Sequence, residues 1–321
     1  MFASRMKQLC FVWLMLCVGW ANAQTDPLYS HYMFNPAYYN PGWMGNINVA
    51  QASLHHRSQW AGYGTSFDGS GGAPTSQLLS MAVPIEGFLH SVGTNVSLDN
   101  IGPESTFRMQ LGASYSFGLN PGTISVGIMP ALISRTIKYD LLRFEDQNDP
   151  LNIGSRESQT KLDAAAGVFY QDYSGFFVGV GIDHILRPSL IQVSEGSGGR
   201  LDRVFYFHGG YPISLNRDLD LTPTALIKTN LNSYSFDVSG VLTFRDIMWG
   251  GLSFRQSEAL ILLLGYSFLD NNALKVGYSF DYVAQNQEAK GRTSHEVYIG
   301  YTLPSLVLGG RKAVKTPRFS F

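Results

Sequence analysis

The feature that most constrains this chain is a two-residue alternation that recurs in segments of about ten residues, the length at which a tilted strand crosses a bilayer. From Thr106 to Phe117 the apolar residues Phe107, Met109, Leu111, Ala113, Tyr115 and Phe117 alternate with Arg108, Gln110, Gly112, Ser114 and Ser116. Successive strand side chains point to opposite faces, so one face is greasy and the other polar or small. The pattern repeats over 233–244, 274–282 and 295–303. Weaker versions bring the expected strands to fourteen, near 47–59, 75–84, 92–99, 105–117, 123–137, 161–171, 175–186, 203–213, 219–228, 233–244, 247–255, 258–268, 273–283 and 294–303. Beyond residue 23 the richest apolar run, Ala259 to Leu264, is far shorter than a membrane helix of about 18 or more residues requires.

Short links carrying turn residues, such as Gly118–Gly122, Asp172–Gly175, Arg245-Asp246 and Leu269–Asn272, join these segments. Counted from a periplasmic start, the long polar stretches Trp60–Ala73, Lys138–Thr160, Arg187–Asp202 and Ala284–Thr293 all fall on the outer side. Short inner turns with long outer loops predict an outer-membrane barrel, although the outer links near 100–104, 229–232 and 256–257 are short. A soluble β-sandwich also alternates, with its greasy face inward. Aromatic residues near strand ends (Phe107/Phe117, Tyr234/Phe244, Tyr266/Phe268, Tyr278/Tyr282) could form interfacial girdles and favour the barrel. The fold expected is therefore all-β, an antiparallel transmembrane β-barrel of about 14 strands over 47–303. An extended N-terminal segment, 24–46, precedes it and a basic periplasmic tail, 304–321, follows.

The start of the chain has the pattern of a secretory leader over 1–23. Arg5 and Lys7 precede an apolar run from Leu9 to Trp20, and Ala21-Asn22-Ala23 supplies a cleavage site. Cleavage there removes Cys10 and Cys17, the chain's 2 cysteines, and with them any disulfide or cysteine-ligated metal. The net charge of −1 argues against a nucleic-acid partner. Only 15% of residues are charged, which argues against a disordered chain.

Two terminal segments and several motifs between them carry a family resemblance. The segment after the leader reads Tyr32-Met-Phe-Asn35-Pro36-Ala-Tyr-Tyr39-Asn40-Pro41-Gly-Trp-Met-Gly45. It resembles the opening of the PorP/SprF family of Bacteroidetes outer-membrane proteins. The likeness continues in Arg57-Ser-Gln-Trp60, Ile101-Gly-Pro103, Asp183-His184-Ile-Leu-Arg-Pro188, Gly277-Tyr-Ser-Phe-Asp-Tyr282, Ser294-His-Glu296 and Thr316-Pro-Arg-Phe319. Gly42-Trp-Met-Gly45 departs mildly from the more common Ala-Tyr-Ala-Gly, and the tail ends Phe319-Ser-Phe321. The resemblance implies a role in the type IX secretion system and its linked gliding machinery. The expected partners are outer-membrane lipid, periplasmic components of the apparatus and secreted cargo proteins.

Candidate partner-binding residues lie at both ends. In the opening segment they are Tyr32, Phe34, Asn35, Pro36, Tyr39, Asn40 and Pro41. Two Asn-Pro steps predict extended coil there, which could plug the lumen, dock a periplasmic partner or simply close the lower mouth. In the tail they are Arg311, Lys312, Lys315, Arg318, Phe319 and Phe321, suited to an acidic, aromatic-accepting groove or to anionic headgroups. Small residues Gly112, Gly179, Gly181 and Gly277 on the lumen face leave room for a plug or partner segment.

No nucleophile elbow, phosphate loop, dinucleotide fingerprint or His-Glu-x-x-His helix occurs, so neither an enzyme nor a cofactor or metal site is expected. Adjacent His55 and His56 should point to opposite faces, as should Asp183 and His184 if both lie on one strand. The functional expectation is a non-enzymatic barrel supporting secretion, with Lys138–Thr160 and Arg187–Asp202 as cargo-facing loops. The alternatives are a passive channel or small-molecule transporter and, less favoured, an outer-membrane hydrolase.

Overall fold

A computed structural model describes residues 26–63, 72–85, 89–142, 155–191, 199–284 and 291–303. The expected leader and tail therefore lie outside the described residues, as do parts of the expected outer loops. The strands, in chain order, are β1 (Ala50–Ala61), β2 (Thr75–Pro84), β3 (Ser91–Ile101), β4 (Glu104–Leu119), β5 (Gly122–Lys138), β6 (Arg156–Asp172), β7 (Phe177–Asp183), β8 (Ser189–Leu190), β9 (Gly199–Arg200), β10 (Val204–Gly210), β11 (Ile213–Ser214), β12 (Leu219–Thr229), β13 (Tyr234–Phe244), β14 (Met248–Arg255), β15 (Ala259–Phe268), β16 (Leu274–Val283) and β17 (Thr293–Leu303). Each long strand pairs antiparallel with the next long one. β10 meets both β7 and β12, and β1 pairs with β17 from Ala50↔Leu303 to Ser58↔His295. The result is a closed antiparallel barrel of 14 strands, with the two-residue ladders β8–β9 and β11 beside it. Closure leaves no strand edge of the ring to be satisfied by lipid.

Polarity is inverted relative to a soluble core. Along β4, Phe107, Leu111 and Phe117 are exposed while Arg108, Gln110 and Ser114 are buried. Along β12, Thr222, Thr224, Leu226 and Lys228 are buried and Pro223, Ala225 and Ile227 exposed. Leu162 and Leu252 show 67% and 70% of their surface, and all eight aromatic residues expected at the girdles are exposed. Such a band can be satisfied only by hydrocarbon. No helix is long and apolar enough to cross a membrane among the described residues.

The strand ends define two rims. One carries the links after β1, β3, β5, β7, β12, β14 and β16 and is called the loop end. The other carries the links after β2, β4, β6, β10, β13 and β15, together with Ala50 and Leu303, and is called the turn end. At the turn end Arg245 and Asp246 adopt φ of 52° and 58°, the pair of left-handed residues that a tight hairpin turn demands.

Two strands are shorter than the alternation suggests. The pattern over 175–186 ends at Asp183 because His184 turns to φ 53°, with Pro188 beyond it. The pattern over 203–213 ends at Gly210, just before Pro212.

The opening segment is not extended. Single helical turns form at Tyr32–Phe34, Pro36–Tyr39 and Pro41–Asn46. Proline at the first position of the latter two loses no bond there and fixes a helical φ. The Asn40 side chain then caps the last turn, accepting from the Gly42 amide at 2.9 Å.

Candidate functional site: a lumen filled by the opening segment

Residues 26–47 pack inside the barrel. Tyr32, Asn35, Pro36, Tyr39, Asn40 and Pro41 are buried and Phe34 is half-buried. Of the candidate partner-binding residues, the structure thus gathers those of the opening segment into the lumen. Arg311, Lys312, Lys315, Arg318, Phe319 and Phe321 lie outside the described residues. Tyr29, Tyr32, Tyr38 and Tyr39 form one apolar cluster with Leu78, Val204, Tyr206 and Leu226 of the wall.

The segment's lower half rests on small residues. Gly127, Gly167 and Gly181 stand directly opposite one another across β5, β6 and β7. A Cβ at Gly181 would meet the Tyr39 carbonyl, one at Gly167 the Asn40 side chain, and one at Gly127 the Pro41 carbonyl. This row is a track on which the Asn40-Pro41 backbone lies against the wall. Asn40 Nδ2 donates to the Val168 carbonyl at 2.9 Å and lies 3.0 Å from His208 Nε2. Ser125 donates to the Gly42 carbonyl at 2.8 Å, and Thr123 bonds Asn46 at 2.8 Å. Gly179 and Gly277 likewise make room, for Asn40 with His208 and for Trp249 with His31, whereas Gly112 packs against Met129 of the neighbouring strand.

The upper half is held by charge. Glu296 accepts the Ser30 amide at 2.6 Å and the His31 amide at 3.0 Å, and takes His31 Nδ1 at 2.8 Å. Arg57, 1% exposed, bonds both Ser30 Oγ and Asp281 at 2.6 Å. Arg255 donates to the Tyr29 carbonyl at 3.2 Å while its Nε and Nη2 engage Asp237. A second cluster closes on Asp26. His184 places Nδ1 2.5 Å from Asp163 and Nε2 3.0 Å from Asp26, so both ring nitrogens face carboxylates. Lys228 donates to the Asp26 carbonyl at 2.8 Å, and Arg108 pairs with Asp183 through both terminal nitrogens. Burial alone would lower the His184 pKa, but Asp26, Asp183 and Asp163 outweigh it and raise it to about 10. Burial alone would raise Asp26, but the His184 cation pulls it below the usual carboxylate range.

His55 is buried and His56 exposed, as strand geometry requires. Asp183 and His184 do not diverge, because the strand ends between them. With Asp163 they form the one His/acid trio close enough to share an ion among the described residues. Asp183 is already engaged by Arg108, His184 Nε2 by Asp26, and Asp163 by His184 Nδ1 itself. Strand alternation by itself does not mark the luminal ion pairs. Their signal is a charge on the small, polar face of a strand near its loop end, as at Arg57, Arg108, Asp237, Arg255, Asp281 and Glu296.

Comparison with known proteins bears on this architecture. A family model described as type IX secretion system membrane protein PorP/SprF matches residues 21–301. No curated protein matches. Among solved structures, the Ralstonia pickettii toluene transporter TbuX aligns with a TM-score of 0.53 at 11% identity, over 83% of this chain and 92% of that one. The Pseudomonas putida toluene transporter TodX aligns at 0.49 and 9% identity, over 84% and 93% of the two chains. A Pseudomonas aeruginosa FadL homologue aligns at 0.45 and 14%, over 83% and 93%. At these identities the likeness is one of fold.

Proposed function

The chain belongs to the PorP/SprF family of type IX secretion system membrane proteins, and from that premise we propose that it acts without catalysis, as an outer-membrane scaffold that supports secretion or surface attachment of particular cargo proteins and the linked gliding motility. The observation that carries this reading is the filled lumen. A barrel whose interior is bonded from rim to rim to its own opening segment offers its rims, rather than a pore, to other molecules. Cargo meets the loop end, at 138–160 and 187–202. Periplasmic components of the apparatus meet the turn end and the basic tail beyond Leu303, where Arg311, Lys312, Lys315, Arg318, Phe319 and Phe321 suit an acidic groove with aromatic pockets.

A strain lacking the protein should lose specific secreted proteins from its surface, scored by mass spectrometry of shaved cells. Unchanged display of every secreted adhesin contradicts the proposal. Truncation after Pro304 should reduce recovery of periplasmic components in pull-downs from native envelopes. A passive channel is the rival reading, and the filled lumen counts against it. Purified full-length protein should show little conductance in a planar bilayer, and removal of residues 26–45 should raise it. Conductance equal in both would favour the channel.

A further inference from the structure

β6 is paired unequally on its two edges. Against β5 the register runs unbroken from Gly122↔Asp172 to Lys138↔Arg156, but against β7 it runs only from Ala166↔Ile182 to Gln171↔Phe177. The cause lies at His184. Its φ of 53°, followed by 51° at Arg187, swings the chain off the line of β7. The chain turns inward instead, where Leu190 of β8 and Leu201 pack on Ile133. The last backbone bond it gives β6 runs from the Ile185 amide to the Ala164 carbonyl at 3.1 Å. Neighbouring residues of a strand present their backbone groups to opposite edges. The Ala164 carbonyl faces the β7 side, so the amides and carbonyls of Leu162, Thr160, Ser158 and Arg156 face it too. Among the described residues nothing bonds them. All four residues are exposed, as are Glu157 and Lys161 between them. An open ladder edge with charges along it stands in water rather than in hydrocarbon. Neither proline nor a bulge, two devices that ordinarily blunt a free edge, interrupts it.

We infer that this edge binds an extended segment of a secreted protein, which continues the sheet where β7 leaves it. A strand is the occupant that fits, because an extended backbone offers carbonyls and amides at the same repeat. The surrounding charge favours a strand with acidic side chains. Arg156 pairs with Asp140 at 3.3 Å, Arg187 pairs with Asp202 at 3.2 Å, and Glu157 is offset by Lys161. The exposed Arg200 and Arg203 then remain as a positive surplus. Each spends its Nε on a backbone carbonyl at 3.3 Å, Arg200 on that of Arg187 and Arg203 on that of Ile185, the residue at the foot of the edge. The inference rests on the proposed cargo role, with the loop end outward, and adds the surface and the chemistry by which cargo is held.

Variants returned to a strain lacking the protein test it, with the cell surface scored by mass spectrometry of shaved cells. Thr160→Pro removes the amide at the centre of the open edge and leaves the β5 ladder intact. It also loses the bond from Thr160 Oγ1 to Ser134 Oγ at 3.0 Å, and Ser134→Ala, which loses that bond alone, is the control. Secreted proteins that vanish in the deletion strain should stay reduced about ten-fold or more with Thr160→Pro and return to within about two-fold of wild type with Ser134→Ala. The heat-induced gel-mobility transition shows whether each variant has folded. If Thr160→Pro has not, the pair Arg200→Glu and Arg203→Glu carries the test, with a loss of about ten-fold expected from like-charge repulsion and recovery with lysine at both positions. Full display with folded Thr160→Pro or with the glutamate pair, or equal loss with Ser134→Ala, overturns the inference and leaves the cargo role standing. A deletion strain that loses no secreted protein refutes the cargo role, and this inference falls with it. Crosslinked dimers of this chain that disappear in Thr160→Pro while display persists would assign the edge to a second copy, which also overturns it.

Discussion

At the residue scale, a few side chains decide whether the segment stays seated. Gly181→Ala puts a Cβ onto the Tyr39 carbonyl, which is backbone and cannot swing away. Overpacking of this kind should cost about 1–3 kcal/mol and lower the heat-induced gel-mobility transition, whereas Gly240→Ala, with open space around it, should not. Glu296→Ala strands the Ser30 and His31 amides in a buried site. A loss of about 3–5 kcal/mol is expected, seen as the same downward shift and as cleavage of the segment by added protease. The His184–Asp26 pair has a pH signature. A raised His184 pKa means that its contribution is complete below its ordinary value of 6.5 and disappears as pH climbs through about 10. A lowered Asp26 pKa means that its contribution is complete above the ordinary 3.8 and disappears only in stronger acid. Protease sensitivity of the segment should thus be least between those ordinary values, rise toward pH 10, and lose the alkaline limb in His184→Gln. None of these pairings was legible in the sequence, because alternation reports which face a residue occupies and not what crosses the lumen to meet it.

Among elements, the strands with sustained alternation were the legible ones. The expectation 105–117 became Glu104–Leu119 and 294–303 became Thr293–Leu303. The alternation is strong because one face meets lipid along the whole strand. The pattern failed where backbone torsion overrides it, as at His184, and in the opening segment, whose proline steps read as coil but start helical turns once barrel walls surround them. The wall is uneven in consequence. β5 pairs with β6 from Gly122 to Lys138, but the β10–β12 contact runs only from Phe205↔Thr229 to Gly210↔Thr224. Hydrogen exchange in detergent should therefore proceed first through β7 and β10 and last through β5 and β6, since opening free energy scales with the local ladder. Uniform protection around the ring would contradict that ranking.

For the molecule as a whole, the exposed apolar band commits the chain to lipid. Protein transferred out of detergent should aggregate instead of sedimenting as a monomer. The ring is completed by β1 lying against β17, the first long strand against the last. That seam joins the most distant parts of the chain, so it forms late and slowly. The opening segment ends at Asn46 and runs directly into β1 at Ala50, so the strand that completes the ring also carries the filling of the lumen. Seam and mandrel are therefore one continuous stretch of chain: a ring that zips without 26–47 in place shuts over Arg57, Arg255 and Glu296 stripped of the Tyr29 and Ser30 groups they hold.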